Sequence, residues 1–473
     1  MSLFKNRIPD WLLLVIIIAV GATLRTLCAT NGDFWLDEIW SYNIAFERSL
    51  SGIILFSHDN NHILNTIFIH LIGPSRNVFL YRILPLLCGI SSLLIIYFTP
   101  IYKSRVEKFI TLTIFSVSYF FVSYSGEARG YAYLILFLSA SFYLLNKIFK
   151  DPERRIFYIL FWTVSILGIL SHYLYITFYI AGLIWTILHK KKISTILKLY
   201  LIPTIFYVIL YFVLIVGMQR GGGDIIPAII INNQAFKVLL GFGLPASICF
   251  FIYLYVLVSK PREDGSGIFY VSLFLLVPIA IFMRPNTIIY ERYMLPFLFF
   301  FVFIISELIA NLINARSKIV KVLGILFLLI IIISSIRRDI ELYVYSKGNY
   351  TSAVTDLINN SNGKEHLAIA MNRFLINPTV FNFYLDRIKT NKPSVELSDI
   401  NDVSASKADW LIYNSKDHLW EKEADNKPAE EIVFKPNIKF KLFKTYGYDH
   451  GLSGWEWVLY KREQPENTIK TKG

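Results

Sequence analysis

Two adjacent carboxylates are the first residues in this sequence that could do chemistry. Asp37 and Glu38 follow a long apolar run and lie between Trp35 and Trp40. A carboxylate that aromatic rings partly shield from water has the properties of a general base. A structural interpretation stands beside this one, because an aspartate ahead of an amphipathic stretch can also cap the N-terminus of a helix.

A His/Asp/His run follows in the same polar segment, which extends from about residue 29 to 77. His58, Asp59 and His62 have side chains of the types that bind divalent metal ions. The spacing of the run does not define a set of three metal ligands, and residues in clusters of this kind more often form hydrogen bonds within a loop. Whether a metal binds therefore stays open at this point.

A third group lies in a very short polar segment between two apolar runs. Glu127, Arg129 and Tyr131 alternate there within residues 123–131. Charged residues set between membrane-spanning segments are costly to desolvate, so they are functional candidates. The alternative is an ion pair between Glu127 and Arg129 that stabilises the turn. Polar candidates from other loops are His172-Tyr173 and Tyr290-Glu291-Arg292-Tyr293.

The composition indicates which kind of chain positions these residues. Of 473 residues, 55% are hydrophobic and 17% are charged, and the mean hydropathy is +0.50. Soluble proteins carry about 25% charged residues. The composition therefore excludes a soluble globular or disordered chain and predicts a polytopic α-helical membrane protein. The first apolar run leads directly into the acidic loop, which favours a retained anchor over a cleaved signal peptide.

The apolar runs predict about eleven transmembrane helices. A single helix over residues 156–188 would be about 50 Å long at about 1.5 Å per residue, too long for a hydrocarbon core of about 30 Å, so this segment is assigned to two short spans. The predicted spans lie at about residues 11–28, 79–100, 109–124, 130–147, 156–171, 173–188, 199–217, 237–258, 268–283, 293–312 and 319–336.

Basic residues predict the orientation of these spans. The net charge of +13 arises in residues 1–338, which contain 29 basic and 15 acidic residues. With a cytoplasmic N-terminus, 18 of these 29 basic residues lie in inner loops, as the positive-inside rule requires. The charge is therefore a topology signal and does not indicate nucleic-acid binding. The Ile/Lys/Asn-rich composition is typical of bacteria, so we expect the protein in the cytoplasmic (inner) membrane of a bacterial cell envelope.

The basic residues assigned to the outer side are almost all arginines. A guanidinium group donates two parallel hydrogen bonds, which suits a phosphate. For each one the alternative is a helix cap or an ion pair with a nearby acid. As a set they favour phosphate recognition; they are Arg25, Arg48, Arg76, Arg82, Arg129, Arg220, Lys237, Arg284, Arg292, Arg337 and Arg338.

The composition changes to that of a soluble domain at about residue 339. Eleven spans place this segment outside, so the chain divides into a transmembrane domain, residues 1–338, and a small extracytoplasmic α/β domain, residues 339–473. Its expected role is that of a lid, an acceptor-docking module or a packing element. Helices are predicted at 351–360 and 378–385, and strands at 366–371, 409–413, 437–445 and 455–460.

The polar segments, taken in order, resemble those of the GT-C glycosyltransferases. The resemblance covers about the first 190 residues and is to the branch that contains the protein O-mannosyltransferases and the lipid A aminoarabinose transferase. The stretch Asn61-His62-Ile63-Leu64 departs from the His-Pro-Pro of many relatives. The resemblance is carried by Asp37-Glu38, the His-containing stretch that follows, Arg82-Ile83-Leu84-Pro85 and Gly126-Glu127-Ala128-Arg129-Gly130-Tyr131.

The resemblance implies a polyprenyl-phosphate-linked sugar donor, undecaprenyl in a bacterium, and a lipid, glycan or protein acceptor at the outer face. Asp37 would be the base of an inverting displacement, Glu38 would support it, and Glu127 would orient the acceptor or Arg129. Relatives differ in whether they bind a metal. The donor phosphate would be held by Arg129, Arg292, Arg284 and Arg82. The substrate-binding residues would be Trp35, Tyr42, His58, Asp59, His62, Tyr131, His172, Tyr173 and Tyr293.

An alternative from another functional class is a transporter or flippase of lipid-linked sugars. Transporters tend to show internal repeats, helices broken near the midplane of the membrane and charges within it. In this sequence the predicted spans carry few charges and the polar candidates collect at one face. That distribution favours an interfacial enzyme over a transporter. The resemblance implies that this enzyme is a hexosyl- or pentosyltransferase.

Overall fold

The computed structural model describes residues 8–188, 191–218, 236–237, 239–240, 265–282, 291–361, 363–373, 376–388, 393–402, 407–414, 428–435, 438–449 and 451–463. The chain forms two compact units. Residues 1–31 and 40–343 form the first, which we call the helical unit, and residues 32–39 and 344–473 form the second, the tail unit. The domain division expected near residue 338 stays a prediction.

The described part of the helical unit consists mainly of apolar helices. Two helices cross the division of the chain, since α2 begins and α14 ends in the tail unit. The α-helices are α1 (Asp10–Thr30), α2 (Leu36–Glu47), α3 (Leu50–Ile54), α4 (Ile63–Ile72), α5 (Phe79–Phe98), α6 (Arg105–Val117), α7 (Tyr119–Ser125), α8 (Tyr131–Lys150), α9 (Arg155–Ser171), α10 (Tyr175–Leu188), α11 (Ile193–Leu210), α12 (Ser266–Phe282), α13 (Leu295–Asn314) and α14 (Lys318–Tyr345).

Six of the described helices are long and apolar enough to cross a membrane, and α6 with α7 forms a seventh span if the 54° bend between them lies within it. The chain is therefore an integral membrane protein. Residues 156–188 form two helices, as predicted, and both are shorter than a full span. The count of eleven stays a prediction, and the span expected at 237–258 lies almost wholly outside the described residues.

The break between α6 and α7 is bound by an arginine of α1. Arg25 donates from Nη1 to the carbonyl of Ser116 at 2.9 Å and from Nη2 to that of Phe115 at 2.8 Å. Carbonyls at a helix end lack partners within the helix, and an apolar bundle offers no water to replace them. Arg25 supplies these donors and is only 1% exposed. From the sequence, Arg25 was grouped with the arginines that could recognise a phosphate. In the structure it binds helix carbonyls, which corresponds to the alternative role of a helix cap.

Two further charged residues complete this part of the helical unit. Asp339 of α14 is 6% exposed and lies within electrostatic reach of Arg25. Arg82 of α5 donates from Nη1 to the carbonyls of Ala29 at 3.4 Å and Asn31 at 3.2 Å, at the end of α1. Its expected role in phosphate binding stays a prediction, and these hydrogen bonds give it a structural role as well.

The described strands of the tail unit form a six-stranded sheet with the order β2-β1-β3-β6-β5-β4. Strand β1 is parallel to β2 and β3, and the other pairs are antiparallel. The strands are β1 (His366–Met371), β2 (Ser394–Asp399), β3 (Trp410–Asn414), β4 (Glu431–Lys435), β5 (Ile438–Tyr446) and β6 (Trp457–Arg462), with helices α15 (Tyr350–Asn359) and α16 (Asn377–Leu385).

The predicted elements of the tail unit are confirmed within one or two residues at each end, and two strands were missed. The missed strands, β2 and β4, are the two edges of the sheet. An edge strand is covered less completely than a central one, so its sequence contains more polar residues and its apolar pattern is weaker. The small α/β fold expected for this segment is correct.

Replacing Arg25 with alanine is expected to destabilise the helical unit by about 2–5 kcal/mol, because two buried carbonyls at the end of α6 lose their charged donor. Thermal unfolding in detergent would measure this loss. Arg316→Ala, at an exposed site, is the control. Equal melting temperatures for the two variants would contradict the assignment.

Candidate active site

Polar residues from four separate segments of the helical unit form one buried group, which we call the polar cluster. They come from the start of α4, the turn between α7 and α8, the end of α9 and the 3-10 turn Glu291–Met294 ahead of α13. The most exposed member, Arg292, is 8% exposed. The members of the polar cluster are His62, Glu127, Arg129, Tyr131, His172, Glu291 and Arg292.

Close packing fixes the turn that carries Glu127 and Arg129. A Cβ atom on Gly126 would lie 2.5 Å from Sγ of Cys28, and one on Gly130 would lie 2.1 Å from the carbonyl oxygen of Ser171. Both positions therefore require glycine. Between them, the carbonyl of Ala128 accepts a hydrogen bond from Nδ2 of Asn65 at 2.6 Å.

His62 and Arg129 are directly hydrogen-bonded. Nη2 of Arg129 lies 2.8 Å from Nε2 of His62, and Nδ1 of His62 lies 3.2 Å from the carbonyl oxygen of Ser171. A guanidinium group only donates and a carbonyl only accepts. These partners assign the tautomer: Nδ1–H donates to Ser171 and Nε2 accepts from Arg129.

The electrostatic surroundings keep His62 neutral. Burial lowers the pKa of His62 well below its usual value, and the positive charges of Arg129 and Arg292, with the nearby His172, lower it further. The imidazole thus remains an acceptor for Arg129 at neutral pH. The neutral imidazole orients the guanidinium group and does not cancel its positive charge. A carboxylate partner would cancel it.

Aromatic side chains line the same part of the helical unit. The ring centres of His62 and His172 are 4.9 Å apart, those of Tyr131 and His172 are 5.0 Å apart, and those of Tyr124 and Tyr131 are 4.6 Å apart. Tyr124 lies within electrostatic reach of Glu127, among other members of the polar cluster. Tyr124 was missed at the sequence level because it is one of many aromatic residues in an apolar run.

The 3-10 turn brings in the second arginine. The guanidinium carbon of Arg292 lies 5.7 Å from the centre of the Tyr293 ring. Glu291 is 3% exposed and lies within electrostatic reach of Arg292 and of Arg338 in α14. Arg129 and Arg292 both lie within electrostatic reach of His62, and Arg292 and Glu291 lie within reach of Tyr124. The assignment of the two arginines to a donor phosphate stays a prediction.

Asp37 and Glu38 lie in the first turn of α2, in the tail unit. Their exposed fractions are 6% and 0%. The side chain of Glu38 accepts a hydrogen bond from the backbone N–H of Trp35 at 3.4 Å, which is the reach-back bond of a capping box. The helix begins at Leu36, so Asp37 lies inside the first turn and is not the N-cap residue considered from the sequence.

The other predicted site residues have local partners. Nδ1 of His58 lies 3.2 Å from Oδ1 of Asp59, and the ring of Tyr42 packs edge-on against Tyr81, 5.6 Å away. Among the residues that the structure describes, no group of three His, Cys, Asp or Glu side chains could hold a metal ion. Tyr173 lies in the break between α9 and α10, and Arg284 lies outside the described residues.

Comparisons with solved structures identify the architecture. ArnT from Cupriavidus metallidurans, solved bound to undecaprenyl phosphate, is similar with a TM-score of 0.51 and 9% identity over 96% of this chain and 98% of that chain. The apo oligosaccharyltransferase from Archaeoglobus fulgidus is similar with a TM-score of 0.50 and 12% identity over 88% of this chain and 70% of that chain. The chain has the GT-C fold.

The GT-C fold confirms the resemblance inferred from the ordered polar segments. No protein-family model and no curated protein sequence matches the chain. The similarity to ArnT extends over nearly the whole length of both chains, including the tail unit. The first 190 residues suggested the resemblance, and the similarity of fold extends to the rest of the chain.

The neutral state of His62 has a consequence for stability. Because its pKa is lower in the folded protein than in the unfolded chain, the unfolded state binds more protons below about pH 6.5, the usual pKa of histidine. The stability that neutral His62 contributes is complete above this pH and is lost on acidification, by up to about 1.4 kcal/mol per pH unit. We expect melting temperatures between pH 7 and 5 to fall less steeply in His62→Gln than in the wild type.

The matched control for this measurement is His366→Gln, which alters an exposed histidine at the start of β1. It should leave the pH dependence of the wild type unchanged. A His62→Gln variant with the same slope as the wild type would refute the neutral, buried state of His62.

Proposed function

We propose that this protein is a membrane glycosyltransferase that moves a hexosyl or pentosyl group from polyprenyl phosphate to a hydroxyl group. The observation that carries the proposal is the polar cluster, in which buried Arg129 and Arg292 accompany Glu127 and a neutral His62. The GT-C fold supports it, because ArnT, with the same fold, binds undecaprenyl phosphate. The acceptor is a lipid, a glycan or a protein.

The arginines of the polar cluster would hold the donor phosphate. A lipid-linked sugar phosphate carries one negative charge and gains another as the bond to the sugar breaks. Guanidinium donors in a site that excludes water stabilise this developing charge strongly, and they need no reorganisation during the reaction. His62 orients Arg129 through a hydrogen bond and, because the imidazole is neutral, adds no negative charge of its own beside the guanidinium group. Arg82 and Arg284 are proposed as further ligands.

The acceptor hydroxyl would be activated by Asp37. Its oxygen attacks the anomeric carbon while its proton passes to the Asp37 carboxylate. The bond between that carbon and the phosphate oxygen breaks, polyprenyl phosphate leaves with the electron pair, and the configuration of the sugar inverts. Glu38 supports Asp37, and Glu127 orients the acceptor or Arg129.

A leaving phosphate is a stable anion, so this reaction needs charge stabilisation more than a general acid. The proposed division of labour follows from that chemistry: the acids act on the acceptor and the arginines act on the donor. We further propose a bacterial cytoplasmic membrane, with the N-terminus inside and the reaction at the outer face. A metal ion forms no part of this proposal.

Replacing Arg129 with alanine should weaken binding of polyprenyl phosphate about 10- to 100-fold, since a hydrogen bond to a charged group contributes about 1.5–3 kcal/mol. Arg129→Lys should recover only part of the affinity, because an ammonium group lacks the planar fork. Titration of the purified protein with polyprenyl phosphate measures both variants.

The control for this titration is Arg155→Ala, at an exposed residue at the start of α9. Its affinity for polyprenyl phosphate should equal that of the wild type. If Arg129→Ala changed only the dependence on the acceptor, the assignment of Arg129 to the donor phosphate would be wrong.

Replacing Asp37 with asparagine should lower the rate of sugar transfer about 10²- to 10⁴-fold while leaving donor binding intact, because the amide cannot accept the acceptor's proton. Mass spectrometry of envelope lipids, glycans and glycoproteins from cells with the wild type, the variant or neither would reveal the transferred sugar and its acceptor. Asp151→Asn, at an exposed site, is the control. Near-normal product from Asp37→Asn would exclude Asp37 as the base.

A further inference from the structure

The first outer loop contributes a short segment, residues 32–39, to the tail unit. More than 300 residues of the chain separate this segment from the rest of that unit, which starts at residue 344. The segment contains Asp37 and Glu38, to which the proposed function assigns the activation of the acceptor. Its contacts therefore show what fixes the acidic pair.

Asp33 binds the start of a tail-unit helix. Its Oδ2 accepts a hydrogen bond from the backbone N–H of Thr351 at 2.6 Å, and its Oδ1 accepts one from the Thr351 hydroxyl at 2.7 Å. Thr351 lies in the first turn of α15, where backbone N–H groups have no partner within the helix. A carboxylate at this position also interacts favourably with the helix dipole. Asp33 thus ties the loop to α15 through two bonds.

The next two residues are buried in the tail unit. Phe34 and Trp35 are 0% and 4% exposed. The backbone carbonyl of Phe34 accepts a hydrogen bond from the hydroxyl of Tyr384 at 2.7 Å. The ring of Phe34 stacks on Phe383 and that of Trp35 packs edge-on against Trp455, each with its centre 6.1 Å from its partner's.

These aromatic residues are themselves fixed to the sheet. The ring of Tyr350 stacks on Tyr384, with 5.9 Å between the centres, and meets Trp457 of β6 edge-on at 5.0 Å. The hydroxyl of Tyr350 accepts a hydrogen bond from the backbone N–H of Trp455 at 3.0 Å. A continuous set of ring contacts therefore connects β6 to the loop.

We infer that the tail unit is a positioning module for the acidic pair, an inference that rests on the proposed function. Side chains and backbone groups of the tail unit contact three consecutive residues, Asp33, Phe34 and Trp35. Helix α2 begins at the next residue, Leu36. The N–H of Trp35 is also the group that Glu38 binds. The tail unit thereby fixes both the direction in which α2 begins and the first turn that carries Asp37.

Tyr384→Phe tests the inference with the smallest change, since it removes one donor to the Phe34 carbonyl and keeps the ring that packs on Tyr350. Deuterium exchange of the peptide containing residues 32–39 should increase. The kcat of sugar transfer should fall about 2- to 10-fold, the range expected from one hydrogen bond. Affinity for polyprenyl phosphate should not change, because the residues assigned to the phosphate belong to the helical unit.

The matched control is Tyr413→Phe, which removes a hydroxyl from an exposed tyrosine of β3 in the same sheet. It should change neither exchange at residues 32–39 nor kcat. The double variant Asp33→Asn/Tyr384→Phe should show faster exchange at residues 32–39 and a lower kcat than Tyr384→Phe alone. Unchanged melting temperatures relative to the wild type would show that the variants are folded.

The outcomes separate this inference from the proposed function. Faster exchange at residues 32–39 with a lower kcat and unchanged donor affinity supports the positioning role. Faster exchange with an unchanged kcat, or unchanged exchange in the double variant, overturns it. A wild-type protein that transfers no sugar overturns the proposed function itself, whereas the exchange measurement still reports whether the tail unit holds the loop.

Discussion

Backbone carbonyls at helix ends inside an apolar bundle must find donors, because neither lipid nor packed hydrocarbon provides any. In the helical unit this requirement is met by side chains from other helices. Arg25 binds the end of α6, Arg82 binds the end of α1, and His62 binds the carbonyl of Ser171 at the end of α9. The fold depends on these bonds, since α6 and α7 can diverge only if the carbonyls at the break are satisfied.

The same requirement shapes the polar cluster. The proton that His62 donates to Ser171 leaves its second nitrogen as an acceptor, and Arg129 occupies it. The bond from His62 to the carbonyl of Ser171 thus sets the orientation of the Arg129 guanidinium group. The next residue, Gly130, lets the chain approach the same carbonyl closely. Charged side chains are concentrated where the helices end, and the proposed function assigns these side chains to the donor phosphate. The acidic pair has a different support, the aromatic packing of the tail unit.

Much of this arrangement could be predicted from residue types and order. The positions of Glu127 and Arg129 in a short turn, and the succession of acidic, histidine-containing and arginine-containing segments, were sufficient to predict the GT-C fold. The strands and helices of the tail unit followed from local periodicity, except at the two sheet edges. The pairing of His62 with Arg129 could not be predicted, because the two residues are 67 positions apart and neither has a spacing that signals the other. Arg25 was likewise indistinguishable from an arginine at a loop.

The sequence by itself determined that the chain is an apolar helical membrane protein with a mixed α/β tail, because composition and periodicity are properties of local segments. It also determined which charged residues lie between apolar runs and are therefore costly to bury. Only the tertiary structure decided how the cost of burying these charged residues is offset. A buried charged group requires hydrogen-bonding partners, and these partners come from segments that are distant in the sequence. Arg25 thus binds a helix end, His62 holds Arg129, and residues 33–35 join the tail unit ahead of Asp37.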